Sequence, residues 1–171
     1  DGTPEQEGYL RQAMAGVFEK RPQWKLFGPV IYRHAVRYAI SKNLPEFEEW
    51  LQTAEELFPN SIFVRVEIAY FAFGFYWNKD DYAKSIAWGE KYLQGMEDYG
   101  VGRFNRSDIL ASVLNKADSR SKLSVATVLA SGYLHEKQPE KCLRLLETID
   151  GRQMDVKQTV DYLRNLCNLY C

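Results

Sequence analysis

The chain of 171 residues is long enough for one domain with a continuous core, and its 46% hydrophobic and 26% charged residues are ordinary for a globular protein. Lys and Arg number 22 against 23 Asp and Glu, interleaved along the expected helices (Glu46, Glu48, Glu49; Lys84, Glu90, Lys91), so the clustered cationic surface that nucleic acid requires is disfavoured. Three cysteines, Cys142, Cys167 and Cys171, are too few for a disulfide framework and fit a reducing cytoplasm, and the longest uncharged apolar run, Ile68 to Trp77, falls short of the roughly 20 residues that span a bilayer.

Thr3-Pro4-Glu5-Gln6 has the form of a capping box and opens a helix expected over 4–20, with Tyr9, Leu10, Ala13, Met14 and Val17 on its apolar side. It stops before Pro22 and is expected to lie as a lid over the first helical hairpin, with Trp24, Leu26 and Phe27 packing in the connection. No signal peptide is visible, and a chain that starts at Asp1 without Met is read as part of something longer. Gly28-Pro29 introduces a helix to about 42, Asn43-Leu44-Pro45 turns the chain, and a second helix runs to about 58 before Pro59-Asn60-Ser61. This hairpin sets Ile31, His34, Ala35 and Tyr38 against Phe47, Leu51 and Ala54, with His34 in a core-facing slot.

The next helix, 62–77, is apolar nearly all round and should have neighbours on most sides. Asp80-Asp81 opens its partner, which runs to about 97 and places negative charge at the positive helix end. Here Arg65, Ile68, Ala69 and Ala72 face Ser85, Gly89 and Tyr92. Residues 98–122 break the rhythm with Gly100, Gly102 and Asn105, and are expected to form a loop with one short helix at Ile109, Leu110, Val113 and Leu114. The pattern resumes with Ala126, Leu129, Ala130 and Tyr133, turns at Gln138-Pro139, and continues with Cys142, Leu146 and Ile149. Asp155-Val156-Lys157-Gln158 is a second capping box. It opens a last helix over 155–170 whose Val160, Leu163, Leu166 and Leu169 should cover the open end of a stack.

Small residues that let helix backbones approach recur at a spacing of about 34, lengthened by one helical turn after the first pair and by the insertion before the third. Period, offsets and turn prolines together resemble the tetratricopeptide repeat. The resemblance implies an all-α solenoid of helical hairpins in a single domain over 1–171, with repeats at about 28–61, 62–97 and 123–152, the insertion 98–122, and capping helices at 4–20 and 155–170. Ile31, Arg65 and Ala126 depart from the family's large aromatic slot, and Phe47 from its small one.

Three stretches carry a narrower resemblance: Glu55 to Ser61, Asp81 to Ile86 with Glu90 to Leu93, and the insertion. With Leu145 to Asp150 they look like the repeat region that follows the catalytic domain in certain bacterial family 2 glycosyltransferases. That implies a non-catalytic, cytoplasmic scaffolding module whose partner is a protein, a peptide or its own catalytic domain. The nucleotide-sugar domain with its Asp-x-Asp motif is not in this chain, and Asp80-Asp81 lies between helices. The alternative is a peptide-sensing domain of a repeat-containing transcription regulator.

In such a stack the concave wall would carry Tyr32, Val36, Phe63, Val66, Tyr70, Phe73, Thr127, Ser131 and His135. Those aromatic anchors suit an extended or helical peptide or a neighbouring domain. The competing reading is that lid and insertion fill the wall as core. Family members that clamp a terminal carboxylate use Lys and Asn at these slots, which hold Tyr32, Val36, Val66, Tyr70 and Thr127 here. Cys167 and Cys171 with His34 and His135 do not form a convincing zinc set, no nucleophile–His–acid set can be assembled, and Gly100-Val101-Gly102 is no phosphate loop. No cofactor, metal or catalytic residue is expected.

Overall fold

The computed structural model of the chain describes residues 4–14, 16–20, 22–100 and 119–170, and every regular element among them is helical. The chain divides into two compact units, Asp1–Val64 and Arg65–Cys171.

The first unit holds α1 (Pro4–Met14), α2 (Val17–Lys20), a 3-10 segment (Pro22–Phe27), α3 (Gly28–Lys42) and α4 (Phe47–Leu57). The single helix expected over 4–20 is broken at Gly16, whose φ of +75° is open to glycine at no steric cost. Thr3 of the first capping box lies outside the described residues, as do the side chains of Ala13, Val17 and Trp24. Phe18 of α2 forms a trio of rings with Tyr32 and Phe58, each pair 6.1 Å between centroids. Leu26 and Phe27, expected to pack in the connection, are instead 87% and 62% exposed. The tighter three-residue turn carries them round to solvent, and it is Gly28 that meets Phe58. A Cβ at Gly28 would drive into that ring.

The inner face of α3 is Tyr32, Ala35, Val36 and Ala39, which pack on the α4 side of Phe47, Trp50, Leu51 and Ala54. His34 lies off that face and is exposed, its Nε2 3.4 Å from Arg33 Nη1, so its expected core slot is corrected. Asn43 ends α3 in the left-handed conformation (φ 52°), and the Leu44 N–H donates to the Ala39 carbonyl at 2.9 Å, as the Asn-Leu-Pro turn suggested.

The second unit stacks α5 (Ala69–Trp77), α6 (Tyr82–Gly100), α7 (Ser119–His135), α8 (Pro139–Glu147) and α9 (Val156–Tyr170), each packed on the one before, with α9 also lying on α7. The helix expected from residue 62 opens as a wider π segment, Phe63–Ile68. Gly95 of α6 crosses this segment so closely that a Cβ there would sit 2.8 Å from the Arg65 carbonyl oxygen. Arg65 occupies the slot where the repeat pattern wants a large aromatic. Its guanidinium pairs with Asp98, whose side chain is only 8% exposed and also accepts from the Gln94 amide at 3.3 Å.

The small-residue slots behave as steric logic requires. An added Cβ at Gly89 would come within 3.0 Å of Phe73 and 3.1 Å of Leu129, and the Ser85 hydroxyl donates to the Phe73 carbonyl at 3.1 Å. Asp81 Oδ1 accepts the Lys84 N–H at 3.1 Å and so caps α6. This helix continues to Gly100 and α7 begins at Ser119, so both ends of the expected insertion are helical; residues 101–118, with the expected short helix, lie outside the described residues. Ala126, Leu129, Ala130 and Tyr133 of α7 are buried with Cys142 and Leu146 of α8. The Tyr133 hydroxyl donates to Glu90 Oε1 at 2.7 Å, tying α7 to α6.

The second capping box forms as expected: the Gln158 N–H donates to Asp155 Oδ1 at 2.9 Å and the Asp155 N–H to Gln158 Oε1 at 3.0 Å. Of the apolar stripe expected to bury α9, Leu166 and Leu169 are half-buried, but Val160 and Leu163 are not covered. Val160 and Leu163 are 49% and 53% exposed, while Gln158 and Asn165 are buried at 4% and 1%. No helix among the described residues is long and apolar enough to cross a membrane.

Candidate functional site

The nine wall residues meet different fates. In the first unit Tyr32 and Val36 are core and Phe63 is half-buried. In the second, Val66 lies under Gly95, Phe73 lies against Gly89, and Tyr70 stays 44% exposed with its ring 5.7 Å from that of Tyr92. Thr127 and Ser131 meet the same partner. Asn165 of α9 donates through Nδ2 to the Thr127 carbonyl at 2.8 Å and accepts the Ser131 hydroxyl at 2.7 Å through Oδ1. At α7, then, the candidate wall is occupied by α9.

His135 belongs to an aromatic cluster at the end of the second unit where α5, α6 and α7 meet. It stacks on Tyr82 at 4.2 Å and 9° between planes, and Trp77 stands edge-on to both at 6.2 and 5.2 Å. The Tyr82 hydroxyl donates to Asp80 Oδ1 at 3.0 Å, and that bond, then burial, pushes the phenol above its ordinary range. Trp77 and Tyr82 are distant from His135 in sequence, and only the fold brings them together.

An exposed surface on α9 includes two residues, Val160 and Leu163, that the sequence pattern assigned to the covered side. The polar pair Gln158 and Asn165, seven apart, marks one side of the helix. Gln158 Nε2 donates to Ser124 at 2.8 Å, and Asn165 bridges to Thr127 and Ser131. On the opposite side Val156, Val160, Leu163, Cys167 and Tyr170 follow at intervals of four, three, four and three, which places them in one narrow line down the helix. Val156 and Tyr170 at its ends are 83% and 77% exposed, and Cys167 is an exposed free thiol. A helix that caps a stack presents a polar outer face, whereas α9 presents an apolar seam, of the kind that marks interaction surfaces. Lys157 and Arg164 flank it on one side, Arg164 in contact with Asp161 at 3.2 Å.

Cys142 fills a small-residue slot, fully buried, and burial pushes its thiol up to about 11. Cys171 lies outside the described residues. Among the described residues no group of three or more His, Cys, Asp or Glu side chains is arranged to hold a metal ion. No family model, curated protein or solved structure matches the chain.

Proposed function

We propose that this chain is a tetratricopeptide-like protein-interaction module, the accessory part of a bacterial family 2 glycosyltransferase, and that α9 is its docking helix. The apolar outer line of α9 carries the reading. Knobs spaced four and three along a helix are met by holes of the same spacing, so the fitting partner is an amphipathic helix, acidic along the edge that passes Lys157 and Arg164. The hairpins α5–α6 and α7–α8 support the repeat assignment through small buried residues, Ser85 and Gly89 against Phe73 in the first and Cys142 in the second.

Reading the gene upstream of Asp1 tests the parent: a nucleotide-sugar domain agrees with it, and a DNA-binding helix-turn-helix replaces it with the peptide-sensing regulator. Calorimetric titration of the chain with the domain encoded beside it tests the surface. Saturable binding is expected, lost in Val160→Asp/Leu163→Asp while helical circular dichroism is retained. Binding unchanged in that variant removes α9 from the interface, and no binding by the unaltered chain removes the domain as partner.

A further inference from the structure

The first unit contains a cavity of about 380 Å³ between α1 and the α3–α4 hairpin, within the roughly 300–1,000 Å³ of small-ligand pockets. Its lining includes Arg11, Tyr32, Glu46, Glu49, Trp50 and Thr53. The charges do not cancel: two carboxylates face one guanidinium. Arg11 Nε holds Glu46 Oε1 at 2.9 Å, while Glu46 Oε2 is buried and has no hydrogen-bond partner. Nor is that carboxylate used as a helix cap, although Glu46 stands at the N-cap position of α4. Buried acceptors are ordinarily satisfied, so the orphaned oxygen marks Glu46 as a cavity-lining carboxylate that lacks a donor.

The kind of donor follows from the remaining wall. Glu49 comes from the first turn of α4, and its charge, after burial, is what holds the Tyr32 phenol above its ordinary range, so its field reaches into the same space. Tyr32 and Trp50, 3% and 5% exposed, contribute aromatic surface that favours a cation. A guanidinium fork needs both oxygens of one carboxylate, and Arg11 already holds one of those on Glu46. An ammonium, with three donors and no acceptor, can divide them between the Glu46 and Glu49 carboxylates.

We propose that this cavity binds a primary alkylammonium group, carried by a free amine or by a lysine side chain. The reading is independent of the α9 surface. The full chain is titrated with 1,4-diaminobutane, with N-acetyl-lysine methylamide and with the neutral 1,4-butanediol, following the Trp50 indole resonance by NMR. Saturable shifts with one or both amines and none with the diol are expected, and the tighter of the two amines identifies the source. Glu46→Gln should weaken binding about tenfold and Glu49→Gln about fivefold, as for loss of a charge-assisted bond. Glu49 is exposed, so Glu49→Gln keeps the fold even if Glu46→Gln loosens α1. The proposal is overturned if neither amine shifts Trp50 at roughly 10 mM, a weaker site than the chemistry describes. It is equally overturned if the diol binds as the amines do, or if Glu49→Gln leaves amine affinity unchanged.

Discussion

Asn165→Ala separates two accounts of what holds α9 in place. In the structure Asn165 is 1% exposed and makes a bond to the Thr127 carbonyl at 2.8 Å and one from the Ser131 hydroxyl at 2.7 Å. Each is worth about 1 kcal/mol net, and truncating a fully buried side chain adds a cavity, so the loss should be roughly 2–3 kcal/mol. That loss falls on α9 and its seat. Amide exchange in residues 158–170 should accelerate by about 30- to 150-fold, at 1.4 kcal/mol per tenfold, while α5 and α6 change less. Ser131→Ala combined with Asn165→Ala should show a coupling of about 1 kcal/mol. The apolar-stripe account makes the opposite forecast: Asn165 substitutions near zero, and Val160→Ala or Leu163→Ala costing roughly 2 kcal/mol or more by analogy with core truncations. Because Val160 and Leu163 are about half exposed, the structure limits those two to under about 1 kcal/mol. Urea denaturation followed by circular dichroism, with exchange mass spectrometry to localise the change, decides. A neutral Asn165→Ala refutes the polar seat.

Gly95→Ala should destabilise the second unit by roughly 1–3 kcal/mol, since the new methyl meets the rigid Arg65 carbonyl; a neutral result in thermal melts would contradict the crossing. Tyr133 gives an alkaline signature. Burial first, and the bond to Glu90 second, raise its phenol above the ordinary 10.0. The stability it contributes is therefore complete below pH 10 and lost as pH climbs toward the higher folded value. Tyr133→Phe should flatten the fall in melting temperature above pH 10, and an unchanged slope would count against the raised phenol. Cys142, buried with its thiol raised to about 11, should resist iodoacetamide at neutral pH while exposed Cys167 reacts; peptide mapping that finds Cys142 labelled in the native chain would contradict its burial.

Helix existence was legible because it depends on local chemistry. Asn43 before Pro45, Asp81 before Lys84 and the reciprocal Asp155–Gln158 pair all act within a few residues, and all three form. Small residues at Ser85, Gly89 and Cys142 were legible for a related reason, since little room is left where helices pack: Gly89 faces the Phe73 and Leu129 side chains, and Ser85 and Cys142 are fully buried. What failed depends on which way a segment turns its residues once it is packed, and on partners far along the chain. The repeat offsets put His34 in a core-facing slot, but Tyr32, Ala35, Val36 and Ala39 set the buried face. Leu26 and Phe27 looked like core because they are large and apolar; the three-residue turn that exposes them leaves no mark in composition. The cluster of Trp77, Tyr82 and His135 joins three helices and had no local signature.

The last helix shows the general form of the error. Periodicity identifies an apolar side, and the usual inference is that this side faces the protein. That inference holds only when burying apolar area stabilises the helix more than any other contact it can make. On α9 the competing side offers Gln158 and Asn165, and α7 offers Ser124, the Thr127 carbonyl and Ser131 at matching heights. A polar group buried with full partners costs little, whereas the same group buried without them costs about as much as a lost hydrogen bond or more. Matching is thus a property of two helices together, and neither sequence alone displays it. Once the polar side is seated on α7, Val156, Val160, Leu163, Cys167 and Tyr170 have nowhere to go but outward. The same substitution logic distinguishes design from accident there. If the outward line only fills space, polar replacements along it should leave every binding property unchanged and raise solubility. If it is a docking seam, Val160→Asp/Leu163→Asp should abolish one binding event while Asn165→Ala weakens it through loss of the seat beneath.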